Sequence, residues 1–283
     1  DTDRSRGLGD VYKRQFRERG INRSVRFIAC SGIVKNQILM KQIQDIMQLL
    51  QKEYEYPVDI EFTVNLSETG EYSINLLQCR PLKVFKDIGK AQIPEDIAEE
   101  KIILENVHSS MGLSRNVKID HIVLVDPIAY YNMPYAQKPN VAKLIGTINW
   151  KYKGKNKHML LMVPGRIGTS SPELGVPTTF ADISEFEAIC EIEEKKAGYN
   201  PELSYGSHIF QDLVEAEILY TAVFANEKTL RFAPEKLAEY PDIVSLFTED
   251  PELKQVVHVY DMSKVSCELC NDLQNERLVL YQQ

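Results

Sequence analysis

Long apolar runs are missing from this chain of 283 residues. No stretch approaches the ~18 to 20 consecutive apolar residues that cross a bilayer, and the opening residues lack the basic, apolar and small-residue succession of a secretory leader. Positive charge is also in short supply, with 33 Lys and Arg against 41 Asp and Glu, a net charge of −8. That balance argues against a general nucleic-acid or anionic-membrane binder, whose surface needs clustered Lys and Arg. Any anionic ligand must then be held by a local basic or amide-lined pocket. Cysteine is sparse and odd in number: five, at positions 30, 79, 190, 267 and 270. Scattered thiols fit a reducing compartment better than a disulfide framework, and the expected location is the cytoplasm. Only Cys267 and Cys270 stand close together, and the nearest histidine, His258, brings no second ligand, so a zinc site lacks half of its donors. What the chain does have is an ordinary globular composition, 43% hydrophobic, enough for one large or two ordinary domains.

The first fifteen residues, DTDRSRGLGDVYKRQ, are polar and show no apolar period. GLGDVYKRQ resembles a translated sequencing adapter, so Gly7 and Gly9 are not expected to form a phosphate loop, and the chain is expected to be a fragment that begins inside a gene. Organisation becomes clear at Asn36. Leu39, Ile43, Ile46 and Leu50 recur on one face of a helix reaching about Tyr54. After Pro57 the period changes to two. Val58, Ile60, Phe62 and Val64 share one face of a strand, and Asp59, Glu61, Thr63 and Asn65 share the other. Ser67 to Glu71, with Gly70, forms the turn. A second strand starts at Tyr72 and stops at Pro81, which has no N–H for a ladder.

With residues 67 to 72 as the loop, Glu61 falls opposite Gln78 and Asp59 opposite Arg80, placing four polar groups on one face of a hairpin. Two carboxylates and an amide oxygen suit Mg²⁺, which binds through one or two carboxylates together with substrate phosphates. The planar fork of Arg80 suits a phosphate oxygen. A solvent-facing strand pair of the same composition needs no ligand at all, so the pattern alone leaves both readings open.

Residues 36 to 86, a long helix followed by PVDIEFTV and then INLLQCRPL, resemble the end of the ATP-binding domain of phosphoenolpyruvate synthase and pyruvate phosphate dikinase, an ATP-grasp fold. In that family a D-x-E strand is followed by a strand ending Q-x-R-P. The resemblance implies ATP and Mg²⁺ as cofactors. It makes Glu61 and Gln78 the metal ligands, Arg80 a phosphate contact, and Asp59 a catalytic residue supporting the metal or the transfer step. Cys79 stands where a small residue is usual. The lobe that closes over the nucleotide would precede residue 16, and the T-x-G-G...S-H-A segment of a phosphohistidine domain is not found.

Residues 87 to 102 read as a linker, 103 to 225 as a second α/β region, and 226 to 283 as a C-terminal extension. In the second region HIVLV (121–125) and MLLMV (159–163) are strands and 139 to 147 a helix. MLLMV runs into PGRIGTSSPELGVPT, residues 164 to 178, a loop of Gly165, Gly168, Gly175 and three prolines. Its amides, with Arg166, Thr169, Ser170 and Ser171, could cradle an anion. It is not a Walker loop, because no Gly-Lys-Ser/Thr follows, and a structural turn is the default reading. His208, after Gly206 and Ser207 at the start of an apolar helix, reads either as a phosphate carrier or as a residue packed at a helix start. GRIGTSSPELGVPTTFADIS and GSHIFQDLVEAEI also resemble the region after the ATP-grasp module in large bacterial PEP/pyruvate-binding domain proteins.

The fold expected is thus α+β or α/β: the C-terminal part of an ATP-grasp domain, then a second α/β region. The function implied is that of a piece of an ATP-dependent phosphotransferase, inactive by itself, whose partners are a nucleotide and a small phosphate acceptor such as pyruvate. The alternative is a noncatalytic nucleotide-sensing or protein-interaction module built on the same fold.

Overall fold

The structure is a computed structural model, and it describes residues 33–66, 72–82, 89–193, 204 and 207–283. The turn around Gly70, Cys30, Gly206 and the glycines of the first fifteen residues lie outside the described residues. The chain forms two compact units divided between Val84 and Phe85.

In the first unit, helix α1 (Gln37–Tyr54) begins where the Asn36 side chain accepts a hydrogen bond from the Leu39 amide, 3.1 Å away. That cap satisfies one of the free N–H groups of the first turn. The helix ends at Glu55 in the left-handed conformation, φ 52°. Leu39 and Ile43 are the residues buried on its inner face. Strands β1 (Val58–Leu66) and β2 (Tyr72–Pro81) follow as an antiparallel pair, with β1 against α1. The helix face and the period-two strand read from the sequence are both present, and β2 runs one residue further, through Pro81.

The second unit has two sheets. One is antiparallel, in the order β10-β3-β13-β12-β5. It joins β3 (Ile102–Val107), β5 (Arg115–Lys118), β10 (Thr229–Phe232), β12 (Cys267–Asp272) and β13 (Arg277–Gln282). The other, of six strands, has the order β11-β6-β7-β8-β9-β4. Its centre is parallel: β6 (His121–Val125), β7 (Met159–Pro164), β8 (Ala188–Ile192) and β9 (Leu219–Val223), flanked by antiparallel β4 (Ser110–Met111) and β11 (Val257–Asp261). Helices α2 (Pro127–Asn132), α3 (Lys138–Tyr152) and α4 (His208–Glu215) lie between the parallel strands in sequence, and a short α5 (Leu253–Val256) leads into β11.

All residues of these four parallel strands are buried, which is why they read as unbroken apolar runs. Alternate residues feed two cores. Val123, Leu161, Val163 and Ile189 meet Ile145, Ile148 and Leu213 from the helices. Ile122, Leu124, Leu160, Met162 and Cys190 meet Leu269, Leu278 and Leu280 from the second sheet. Residues 226–283 are therefore central to this unit: β13 lies between β3 and β12, and β11 borders β6. Of the strand-like QVVHVYDM, only Val257–Asp261 is strand, because Leu253–Val256 forms a helical turn. Helix α3 extends beyond the expected 139–147 at both ends. Residues 89 to 101 are tied to the unit rather than loose: the Gln92 amide donates to Asn116 at 2.9 Å, and Ile93 and Ile97 pack against Tyr281 and its neighbours. Among the described residues no helix is long and apolar enough to cross a membrane.

Candidate functional site

On the hairpin, Asp59 pairs with Arg80 and Glu61 with Gln78. Direct cross-strand partners hold their Cβ atoms about 4.5 to 5.5 Å apart, so all four groups share one patch. Arg80 donates through Nε and Nη2 to the Asp59 Oδ2, each at 3.3 Å. The two side chains keep 21% and 34% of their surface, so water screens the pair and its own contribution to stability is small. Glu61 and Gln78 are exposed.

The register at the tip differs from the expected one. Leu66 pairs with Tyr72, Val64 with Ile74 and Phe62 with Leu76, one residue out of phase with Glu61 and Gln78. A β-bulge between Glu61 and Phe62 reconciles the two halves, and Leu77 is the extra residue. Without it, the tip register continued inward would set Glu61 against Leu77 and Asp59 against Cys79. The bulge thus keeps Asn65–Ser73, Thr63–Asn75, Glu61–Gln78 and Asp59–Arg80 as four successive polar pairs. Bulges also sharpen the local twist and re-aim side chains. No sequence signal marked this one beyond the apolar pair Leu76-Leu77 interrupting the alternation, both of them exposed.

Arg166 belongs to the second unit. Its amide donates to the Leu174 carbonyl at 2.8 Å, and Gly165 and Gly175 form a β-bridge, so the glycine loop is a folded hairpin. Tyr130, fully buried, donates its hydroxyl hydrogen to the Gly175 carbonyl at 2.7 Å. Thr169 accepts from the Ser171 amide at 3.1 Å. These bonds occupy much of the loop's polar backbone. The half-buried Arg166 guanidinium makes no ion pair or hydrogen bond to the described residues. A Cβ at Gly168 would strike the Ile209 side chain, which shows that the start of α4 lies against the loop. The two features read separately from the sequence, the glycine loop and Ser207-His208, are neighbours.

A residue that belongs to no sequence motif joins them. Glu191 on β8 is fully buried. It accepts from the Ile167 amide at 2.8 Å, the Ser204 amide at 2.7 Å, the Tyr220 hydroxyl at 2.7 Å and the Ser204 hydroxyl. A lone acid inside the apolar run AICEI was the signal available. The remaining histidines have structural partners: His108 with Glu276, His121 with Tyr152, His158 with Glu187 and His258 with Asp242. Cys267 and Cys270 are buried, and burial pushes both thiols up to about 12. Among the described residues no group of three or more His, Cys, Asp or Glu is arranged to hold a metal. The hairpin offers two carboxylates and an amide, which suits Mg²⁺ only when phosphates and water complete the shell.

Comparison with known proteins agrees with the hairpin motif. Residues 12–101 match the family model described as pyruvate phosphate dikinase, AMP/ATP-binding domain. For that segment the match supports the phosphoenolpyruvate synthase and pyruvate phosphate dikinase ATP-binding domain family, and with it an ATP-binding region. The match spans less than half of the chain, so it speaks for the segment that contains the hairpin. No curated protein and no solved structure matches.

Proposed function

We propose that the polar face of the hairpin supplies the metal and phosphate contacts of a Mg-ATP site in a phosphotransferase of the phosphoenolpyruvate synthase type. The observation that carries this reading is the bulged register, which keeps Asp59, Glu61, Gln78 and Arg80 on one patch inside the matched segment. Glu61 and Gln78 present adjacent oxygens for Mg²⁺. Bound there, the ion would neutralise charge on the nucleotide phosphates. Arg80 is poised by Asp59 and can turn its fork to a phosphate oxygen, since the pair it leaves is partly solvated and weak. Asp59 orients that guanidinium and supports the metal side of the patch. The acceptor is a small molecule of the pyruvate class, and the reaction runs in the cytoplasm. In the second unit Arg166 is proposed as a separate contact for a phosphorylated or carboxylated ligand.

The test is a titration of Mg-ATP and of adenosine against the protein and its variants. Arg80→Ala is expected to weaken ATP at least tenfold and leave adenosine unchanged, because it removes a charge-assisted phosphate bond. Glu61→Ala is expected to remove the Mg²⁺ dependence of binding. Equal losses for both ligands would overturn the assignment.

A further inference from the structure

Glu191 lies at the C-terminal end of β8, a fully buried acid among groups that all offer it hydrogen. The groups facing it are the Tyr220 hydroxyl from β9, the Ile167 amide from the glycine loop, and the Ser204 amide and hydroxyl from the chain ahead of α4. Its neighbour on β8, Cys190, is a buried thiol that burial pushes up. Among the described residues no Lys, Arg or His acts on it. An ionised carboxylate removed from water without a cation is costly.

The geometry also offers the acid form a complete set of partners. The Ser204 Oγ lies against the Glu191 Oε1 and 3.1 Å from the Ile167 carbonyl. A hydroxyl hydrogen on Oε1 can be donated in a hydrogen bond to Ser204 Oγ, whose own hydrogen is then donated to the Ile167 carbonyl. Oε1 keeps the Ile167 amide as a donor, and Oε2 still accepts from Tyr220 and the Ser204 amide. In the ionised form the single Ser204 hydrogen is spent on the carboxylate, and the Ile167 carbonyl gains nothing from it.

We propose that Glu191 stays protonated in the folded protein and donates a hydrogen bond to the Ser204 hydroxyl oxygen, so that a neutral carboxyl pins the glycine loop and the start of α4 to the end of β8. Burial shifts this group upward, and the four hydrogen bonds reduce that shift without reversing it. Loss of the proton leaves a buried charge and takes the Ser204 hydrogen away from the Ile167 carbonyl, so it weakens the hold on both segments together. The pin is independent of whether Arg166 binds an anion.

Two measurements test it. An infrared difference spectrum of wild type against Glu191→Gln at neutral pH should show the carbonyl stretch of a protonated carboxyl, moving on transfer to D₂O. Tyr220→Phe should shift that band, which keeps the readout if the Gln variant does not fold. Denaturant unfolding across pH gives the second. The unfolded chain releases this proton near pH 4.3 and the folded one above it. The wild-type folding constant should therefore fall about tenfold per pH unit relative to Glu191→Gln, until the folded group titrates. Absence of the band, or parallel pH profiles, would mean an ionised Glu191 and would overturn the proposal.

Discussion

Arg80 illustrates how little energy an ion pair proposed to serve a ligand need contribute to folding. Its partner Asp59 is about one-third exposed, so exchanging the carboxylate for an amide should cost under about 1 kcal/mol of stability. Asp59→Asn is therefore expected to unfold in urea close to wild type while its Mg-ATP affinity falls. A large stability loss would instead make the pair a structural brace. Arg80→Lys keeps the charge but loses the planar fork, and about one charge-assisted hydrogen bond with it, so ATP affinity should drop roughly tenfold. The same residues show what was legible at this scale. Asp59, Glu61, Gln78 and Arg80 could be placed on one face because a strand alternates with period two, whereas Glu191 belongs to no motif. Its partners Ile167, Ser204 and Tyr220 are distant in sequence and meet only through the parallel ladder.

Among elements, the helix and the hairpin strands were legible because each carries its own period. The five-stranded sheet was not. β5 and β10 are only four residues long, and the apolar residues of β3 and β12 acquire meaning only when β13 from the end of the chain enters between them. The bulge was invisible for a different reason: both halves of the hairpin alternate correctly, and only their relative phase requires Leu77. This yields a sharp expectation. Deleting Leu77 leaves Phe62–Leu76, Glu61–Gln78, Ile60–Cys79 and Asp59–Arg80 as consecutive pairs, so the hairpin should keep its fold to within about 1 kcal/mol while losing the bulge's twist. Mg-ATP affinity should nevertheless fall, and unchanged affinity would show that the twist has no part in aiming the patch. The glycine loop gives a second contrast. Gly175 has φ 154° and a Cβ there would run into the Arg166 backbone, whereas Gly154, at φ 69°, has open space around it. Gly154→Ala should cost about 1 kcal/mol from the backbone alone. Gly175→Ala should cost clearly more in the same denaturant titration, because the backbone itself must move.

Across the second unit, the parallel strands run between two buried titratable groups. His121 opens β6 at one end of the sheet, and Glu191 closes β8 at the other. His121 is 5% exposed. Its Nε2 lies 3.1 Å from the Tyr152 hydroxyl and 3.9 Å from Asp261, and its Nδ1 is buried with no hydrogen-bond partner. Burial lowers its affinity for a proton, more than the nearby Asp261 and Asp120 carboxylates raise it, and Lys157 adds to the lowering. The folded state therefore keeps the neutral imidazole at a pH where the unfolded chain, with a histidine near 6.5, has taken up a proton. Stability from this group is complete above that pH and is lost as pH falls toward the lowered folded value, at up to about 1.4 kcal/mol per pH unit. Glu191 acts in the opposite sense, favouring the fold as pH falls toward 4.3. Where the two titrations overlap the slopes oppose each other, so wild-type stability should change less there than either group alone would dictate. His121→Gln removes one slope and exposes the other. Urea unfolding of this variant at pH 5, 6 and 7 should show stability rising toward acid relative to wild type. Parallel curves would mean that the imidazole titrates alike in both states, and that burial at the head of β6 leaves its proton affinity unchanged.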